Sequence, residues 1–163
     1  MKRSAFTLIE MLAVITIVVI LAALTVKLAQ YGVKKGLESR CVAEIRALGA
    51  ALDAYKLDHF KFPDMTSAIH PGCVTPVSNA DALYRGVTGI GCTGMPVYFA
   101  GIKRGKGGNV QNDVFIDPYG APYNYRPGSD AGAINKASFD LWSNGPDGVN
   151  NNGSADDIAG WRL

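Results

Sequence analysis

An apolar run near the N-terminus, from Phe6 to Val26, is the strongest constraint on how this chain folds. As a helix rising about 1.5 Å per residue, the run is long enough to cross a hydrocarbon core of about 30 Å. Glu10 interrupts it one turn from its start, directly behind the short leader Met1-Lys2-Arg3-Ser4-Ala5. An ionised carboxylate in lipid is costly unless a cation meets it. The sequence therefore predicts a membrane-spanning helix whose Glu10 has a partner.

The segment Phe6-Thr7-Leu8-Ile9-Glu10 resembles the processing and methylation segment of type IV prepilins and pseudopilins. The resemblance implies that a prepilin peptidase cleaves between Ala5 and Phe6 and methylates the new amine. It also implies that the cationic Phe6 terminus of one subunit meets Glu10 of a neighbour as subunits stack into a filament. Such an opposite charge favours the ionised acid and offsets much of its desolvation cost. Ala5 stands where the family usually has glycine.

Two other kinds of N-terminal segment also combine a basic start with an apolar stretch. A secretory signal peptide has a shorter apolar stretch followed by a small-residue cleavage site, and no clear A-x-A site follows this run. A glutamate ahead of the apolar block is also unusual for that class. An ordinary signal anchor is the remaining alternative for this segment.

Length and charge limit what the rest of the chain can be. The chain has 163 residues, enough for the stem and one small domain with a modest core. The formal net charge of +2 becomes zero when Lys2 and Arg3 leave with the leader, so no bulk attraction to nucleic acid is expected. Positive-inside counting leaves the orientation ambiguous. The family resemblance implies a single-pass inner-membrane protein with its C-terminal domain in the periplasm.

A helical pattern continues beyond the membrane segment. Apolar residues recur at steps of three and four along one face, and charged residues, including a surface pair of Arg40 and Glu44, occupy the other faces. Pro63 ends the helical segment. We expect a leader at residues 1–5, a transmembrane and assembly helix at 6–29, an amphipathic second half at 30–62, and a globular part at 63–163. The apolar positions are Leu37, Cys41, Ile45, Leu48, Leu52 and Tyr55.

The C-terminal third predicts an antiparallel sheet. Compact β-prone runs at Val114–Asp117, Tyr123–Arg126 and Ser138–Trp142 are separated by Pro, Gly and Asp residues typical of turns. Residues 43–58, 117–125 and 139–148 resemble the major pseudopilin of type II secretion systems. That resemblance implies an α+β, pilin-like fold, in which a long N-terminal helix packs on a small antiparallel sheet.

Three cysteines require an assignment. Cys73 and Cys92 lie in the irregular stretch 64–112, and outside the cytoplasm a disulfide closing a loop of about 20 residues adds roughly 3 kcal/mol. Cys41 lies on the apolar helix face, where a buried cysteine is usually a small hydrophobic residue. We therefore favour a Cys73–Cys92 bond, with one thiol unpaired or bonded between chains.

Oxygen donors dominate the segment from Ser143 to Ile158. Calcium takes about six to eight oxygen ligands in flexible geometry, whereas zinc favours the His and Cys residues that this segment lacks. In the major pseudopilins the equivalent loop binds calcium. By position this implies acidic ligands, a backbone carbonyl, and a serine where aspartate is commoner, for which Asp156 or an asparagine among residues 150–152 compensates. The alternative is a polar turn loop without metal, because Asn and Gly alone favour turns. The implied ligands are Asp147 and Asp157, Asn144, Ser154, and Asp156.

The motifs point away from catalysis. The sequence has no G-x-S-x-G or H-E-x-x-H, and its basic glycine run at 101–108 lacks phosphate-loop spacing. The resemblance implies a non-enzymatic subunit that polymerises through its helix, with other pseudopilins and an inner-membrane assembly platform, into a periplasmic pseudopilus for protein export. One alternative is a type IV pilin of a surface fibre for adhesion, motility or DNA uptake. Another is a membrane-anchored calcium-binding domain that does not polymerise.

Overall fold

The computed structural model describes residues 7–65, 73, 75–76, 78–102, 104–106 and 113–163. The chain divides into two compact units, Met1–Gly36 and Leu37–Leu163. Helix α1, Leu8–His59, contributes to both units. The predicted processing residues Ala5 and Phe6 lie outside the described residues.

The first unit consists, in its described part, of the N-terminal portion of α1. Among the residues described here, α1 is the helix long and apolar enough to cross a membrane by length and composition. Every side chain described between Thr7 and Gly36 is exposed. This unit therefore buries none of its described apolar residues, and its surface is left for lipid or other chains to cover.

The second unit is built on the remainder of α1. The predicted apolar face is confirmed: five of its six residues are at most 3% exposed, and Leu37 is half-buried. The helix ends at His59, before the predicted stop at Pro63, and Phe60 follows with φ of 59°. One face of α1 thus forms one wall of the core. The five buried residues are Cys41, Ile45, Leu48, Leu52 and Tyr55.

A second helix, α2, spans Asn79–Thr88 in the stretch where no element was predicted. Ser78 begins it by accepting a hydrogen bond from Asp81 N at 3.1 Å. Gly89, with φ of 67°, ends it by donating from its backbone N to Arg85 O at 2.9 Å. Serine and glycine are common at these two capping positions, so the pattern S-x-x-D followed by Gly could have predicted this helix from the sequence. The buried face of α2, including Leu83, joins the core.

The described part of the second unit also contains five short strands. Strands β1, Arg104–Lys106, and β2, Asp113–Phe115, form an antiparallel pair. Strands β3, Asn124–Pro127, β4, Phe139–Ser143, and β5, Ile158–Ala159, form a three-stranded antiparallel sheet in that order. A short 3-10 helix, Gly160–Arg162, follows. The predicted α+β fold is confirmed, with three strands within two residues of their expected ends; β1 and β5 were not expected.

The register of the three-stranded sheet separates its two ends. Pro127 lies opposite Phe139 at one end, and Asn124 lies opposite Trp142 at the other. The β3–β4 turn, residues 128–138, therefore lies at the first end, and the loop between β4 and β5, residues 144–157, starts from the second. Leu141, in the middle of β4, is buried against α1 in the core.

Two glycines in the helices allow the packing of this core to be tested by substitution. A Cβ at Gly86 in α2 would lie within 2.8 Å of Pro63 Cβ, whereas at Gly49 in α1 the nearest atom is Phe139 Cζ at 3.6 Å. Alanine raises helix propensity by about 1 kcal/mol at either site, but overpacking costs about 1–3 kcal/mol. We expect Gly86→Ala to lower the free energy of unfolding by about 1 kcal/mol and Gly49→Ala to raise it by about 1 kcal/mol. Urea unfolding of the full chain in detergent measures both, and equal stability of the two variants would contradict this packing.

Candidate functional site

The start of α1 is the first candidate site. Glu10 Oε2 accepts hydrogen bonds from Thr7 N and Thr7 Oγ1, both at 2.8 Å, and Glu10 N donates to Thr7 Oγ1 at 3.3 Å. This is a capping box, in which Thr7 precedes the helix and Glu10 occupies its third position. We did not predict this role of Thr7 from the sequence, although T-x-x-E is the sequence pattern of a capping box. The partner predicted for Glu10, Phe6, lies outside the described residues.

The base of the loop 144–157 is tied to the turn between β2 and β3. Ser143 Oγ donates to Asp117 Oδ2 at 2.5 Å and accepts from Gly145 N at 3.1 Å. Asp117 Oδ1 accepts from Tyr119 N at 3.0 Å and Ala121 N at 2.8 Å. Asp117 and Ser143 are both buried. They position the start of the loop, a role that the sequence did not indicate.

Amide and indole side chains hold the middle of the loop against the sheet. Asn124 Nδ2 donates to Asn144 Oδ1 at 2.5 Å, and Asn150 Nδ2 donates to Asn124 Oδ1 at 3.2 Å. Trp142 Nε1 donates to Asn150 Oδ1 at 3.0 Å. The ring of Trp142 packs edge-on against Trp161, with 5.9 Å between their centroids. The side-chain oxygen of Asn144 is therefore already occupied within the protein.

The predicted acidic ligands differ in their surroundings. Asp157 is only 5% exposed, and its Oδ2 accepts from Asn151 N at 2.9 Å and Gly153 N at 2.7 Å. Asp147 and Asp156 are exposed, and Asp156 Oδ2 accepts a long hydrogen bond of 3.4 Å from Asp147 N. The structure thus brings Asp147 and Asp156 together but turns Asp157 towards backbone amides.

The remaining predicted ligand, Ser154, is exposed, and its Oγ donates to Asn151 O at 2.5 Å. No three Asp, Glu, His or Cys side chains converge as a metal cluster anywhere in the described ranges. Asp157 Oδ1 is nevertheless buried without a hydrogen-bond partner, the one such side-chain atom found in the described residues. A buried unpaired acceptor is unfavourable by about 1–3 kcal/mol, so this atom needs an explanation.

The disulfide predicted between Cys73 and Cys92 is present. Its two residues pack beside Tyr55, Met95 and Tyr98, a small apolar cluster near the end of α1. The Tyr98 hydroxyl donates to Asp58 Oδ2 at 2.6 Å. The bond therefore joins Cys73, which lies between α1 and α2, to Cys92, which follows α2.

Cys41 is a free, fully buried thiol in the main core, as predicted. Burial raises the pKa of the Cys41 thiol, so the protonated form that packs like a small hydrophobic group is favoured. The Tyr123 hydroxyl, 3.6 Å from Cys41 Sγ, donates to Glu44 Oε2 at 2.9 Å. The predicted Arg40–Glu44 pair is present at 2.8 Å, but the Glu44 side chain is only 12% exposed. Tyr123 explains why this carboxylate is more buried than a surface pair would be.

Comparison with known proteins places the chain in a family. Two family models match: the prokaryotic N-terminal methylation motif over residues 1–26, and type II secretion system (T2SS), protein G, over residues 99–161. The chain is 30% identical to the type II secretion system core protein G of Pseudomonas aeruginosa over 162 residues, which covers 98% of this chain and 96% of the relative. The chain belongs to the core protein G family. This confirms the family that the sequence resembled.

Other members of the core protein G family give the same picture. The proteins of Aeromonas hydrophila and Escherichia coli K12 are 31% and 30% identical, each over 99% of this chain and 94% and 93% of the relative. The chain is also similar to the crystal structure of the major pseudopilin from the type 2 secretion system of enterohaemorrhagic Escherichia coli. That likeness covers 82% of this chain and 94% of that chain, at 22% identity with a TM-score of 0.46. The core protein G match over residues 99–161 contains the whole candidate loop.

Two glycines test the packing of this loop in the core protein G fold. Gly153 and Gly148 have φ of 75° and 69°, but a Cβ on Gly153 would collide with the indole ring of Trp161, whereas Gly148 has open space. We expect Gly148→Ala to cost about 1 kcal/mol from backbone strain and Gly153→Ala about 3 kcal/mol, because the ring must also move. Both tryptophans of the chain lie at this loop, so their fluorescence should shift towards that of exposed indole in Gly153→Ala alone. Identical spectra and stabilities for the two variants would disprove the contact.

Proposed function

We propose that this core protein G polymerises through α1 into the pseudopilus of a type II secretion system. The observation that carries the proposal is the apolar surface of the N-terminal part of α1, whose described side chains up to Gly36 are exposed on every face and which is interrupted near its start by Glu10. A soluble domain does not leave such a surface uncovered. In the membrane, lipid covers it; in a filament, the helices of neighbouring subunits do. The match to the N-terminal methylation motif supports cleavage by a prepilin peptidase between Ala5 and Phe6.

The role of Glu10 in this proposal is electrostatic. Thr7 supplies two donors to the carboxylate, but neither donor carries a positive charge, so much of the cost of placing an ion among apolar helices remains. The methylated amine of Phe6 on the next subunit supplies that charge. The second unit then lies on the periplasmic side, where its disulfide is stable. The protein acts as a structural subunit rather than as an enzyme.

Replacing Glu10 by glutamine tests the charge without removing the cap. Gln still accepts hydrogen bonds from Thr7, so α1 should form and insert normally. Loss of the ion pair should lower filament yield about tenfold or more, since about 1.4 kcal/mol per contact is a factor of ten. Sheared filaments and membrane fractions are quantified for Glu10→Gln and for Glu38→Gln, the same chemical change outside the apolar run, and mass spectrometry checks leader removal. Normal filaments from Glu10→Gln would refute the pairing.

We further propose that the loop 144–157 binds calcium. Two observations support it: the donor set is made of oxygens, and Asp157 Oδ1 is buried without a partner in the described structure. Asp157 would be the buried ligand, Asp147 and Asp156 the exposed carboxylates, and the backbone carbonyl of Asn144 and the hydroxyl of Ser154 would contribute further oxygens. The bound ion would draw these carboxylates together and neutralise their charge, and so order the loop. The protein already holds both ends of the loop, through Ser143 at its start and Trp161 beyond its end.

Calcium should stabilise the second unit by mass action, by about 2.7 kcal/mol when its concentration is a hundred times its dissociation constant. A chelator should therefore lower the melting temperature of the protein. Asp157→Asn, which keeps the shape of the side chain but removes its charge, should abolish this difference. Asp53→Asn, on the exposed face of α1, should leave it unchanged. Calorimetry measures both; a melting curve insensitive to chelator and to added calcium would leave the loop as an ordinary turn.

A further inference from the structure

Arg126, in β3, contacts both segments that flank β4. Its Nη1 donates to Gly132 O of the β3–β4 turn at 3.3 Å, and its Nη2 donates to Asn152 Oδ1 of the loop 144–157 at 2.8 Å. The guanidinium also lies over the ring of Trp142, 5.1 Å from the ring centre. Arginine suits such a position because its planar group offers several donors in fixed directions and stacks on aromatic rings. Arg126 therefore joins the turn, the sheet and the loop.

Asn152, the loop residue that Arg126 contacts, has an unusual backbone conformation. Its φ is 54°, in the left-handed region that asparagine adopts more readily than most residues other than glycine. Its backbone N donates to Asn150 Oδ1 at 2.9 Å, and the same oxygen accepts from Trp142 Nε1 of β4 at 3.0 Å. The backbone and the side chain of Asn152 are thus both linked to the sheet, the backbone through Asn150 and the side chain through Arg126.

The conformation of Asn152 determines where the amides on either side of it point. Asn151 N and Gly153 N both donate to Asp157 Oδ2, at 2.9 Å and 2.7 Å. Backbone amides converge on one anionic oxygen when a left-handed residue turns the chain between them. These two bonds fix the buried carboxylate of Asp157 by one oxygen. Its Oδ1, which has no hydrogen-bond partner within the described part of the chain, is the oxygen left for a cation.

The charge of Arg126 by itself opposes a cation in the loop. Like charges repel, so electrostatics alone predicts that an arginine beside a calcium loop weakens calcium binding. Asp130 in the β3–β4 turn reduces this repulsion. Hydrogen bonds from Gly132 N and Asn79 Nδ2 hold the pKa of Asp130 below its usual range, and the nearby charge of Arg126 adds to this effect. The printed hydrogen bonds of Arg126 end on a carbonyl and an amide, so it does not compete with calcium for an acidic ligand.

We propose that Arg126 is a positioning residue for calcium: through Asn152 it holds residues 150–153 in their binding conformation and thereby increases the affinity of the loop for calcium, although Arg126 is itself a cation. The inference rests on the proposed calcium site. A ligand set that is ordered beforehand binds more tightly, because less conformational freedom is lost on binding. Residues that hold metal ligands without touching the metal commonly contribute about ten- to a hundredfold in affinity.

Titration of the full chain with calcium in detergent, followed by calorimetry, measures the effect. Arg126→Gln removes the bridging guanidinium and should raise the dissociation constant for calcium about tenfold. Arg162→Gln is the matched control, because it removes the same charge from an exposed residue shortly after the loop. It should leave the dissociation constant unchanged or lower it. Charge repulsion alone predicts that neither variant binds calcium more weakly, so the sign of the change in Arg126→Gln decides between the two explanations.

Asn152→Gly tests the same link from the loop. Glycine adopts the left-handed conformation freely but has no side-chain oxygen for Arg126. The dissociation constant should rise about as much as in Arg126→Gln, and the double variant should bind no more weakly than either single variant, because all three lack one shared contact. Asn152 is exposed, so this variant still tests the link if Arg126→Gln does not fold.

The outcomes separate this inference from the calcium proposal. A chain of native sequence that takes up no calcium overturns both. If the native chain binds calcium and Arg126→Gln binds it equally well or better, the role of Arg126 is wrong and the calcium site stands. The same conclusion follows if Arg126→Gln only lowers the melting temperature measured without calcium, since that is what a purely structural role predicts. Additive losses in the double variant would show that Arg126 and Asn152 act separately and would also overturn the link.

Discussion

The packing of one face of α1 against the three-stranded sheet is the interaction on which the rest of the second unit depends. Leu48 and Leu52 are fully buried there in one cluster with Leu141 of β4, and each fully buried side chain of this size contributes about 1.5–3 kcal/mol. The same helix continues, without interruption, from the first unit, where its apolar residues are exposed. The C-terminal part of α1 therefore contributes buried residues to the core, whereas its N-terminal part leaves its apolar residues exposed. That division is what a subunit needs if it is to fold alone and still associate through its stem.

Buried carboxylates organise the loops around this core. Asp140 accepts from Ile134 N at 2.6 Å and Asn135 N at 3.0 Å and so holds the β3–β4 turn, while Asp117 holds the turn before β3. In each case backbone donors offset the cost of burying charge. Asp157 follows the same rule with one oxygen but leaves the other without a partner in the described structure. This difference is the physical reason why we propose a cation for its loop and not for the other two.

The antiparallel register also determines which loops of the second unit lie near one another. Arg126 in β3 lies opposite Asp140 in β4. Its guanidinium donates to Gly132 O of the β3–β4 turn at 3.3 Å and to Asn152 Oδ1 of the loop 144–157 at 2.8 Å. One side chain of β3 thus holds both loops that flank β4.

The sequence alone determined the features that depend on local spacing. The period of three and four from Leu37 to Tyr55 identified a buried helical face, Glu10 marked an ion in an apolar run, and short β-prone runs between turns located three strands. The S-x-x-D cap of α2 was equally local and was missed because breakers surround it. Only the tertiary structure decided which of the neighbouring residues Asp156 and Asp157 is buried, and that Tyr123 reaches Glu44 across 79 positions. Helices, strands and caps follow patterns of neighbouring residues, so a sequence reveals them. The burial of a particular side chain depends on strand register and on contacts between distant residues, which no local pattern specifies.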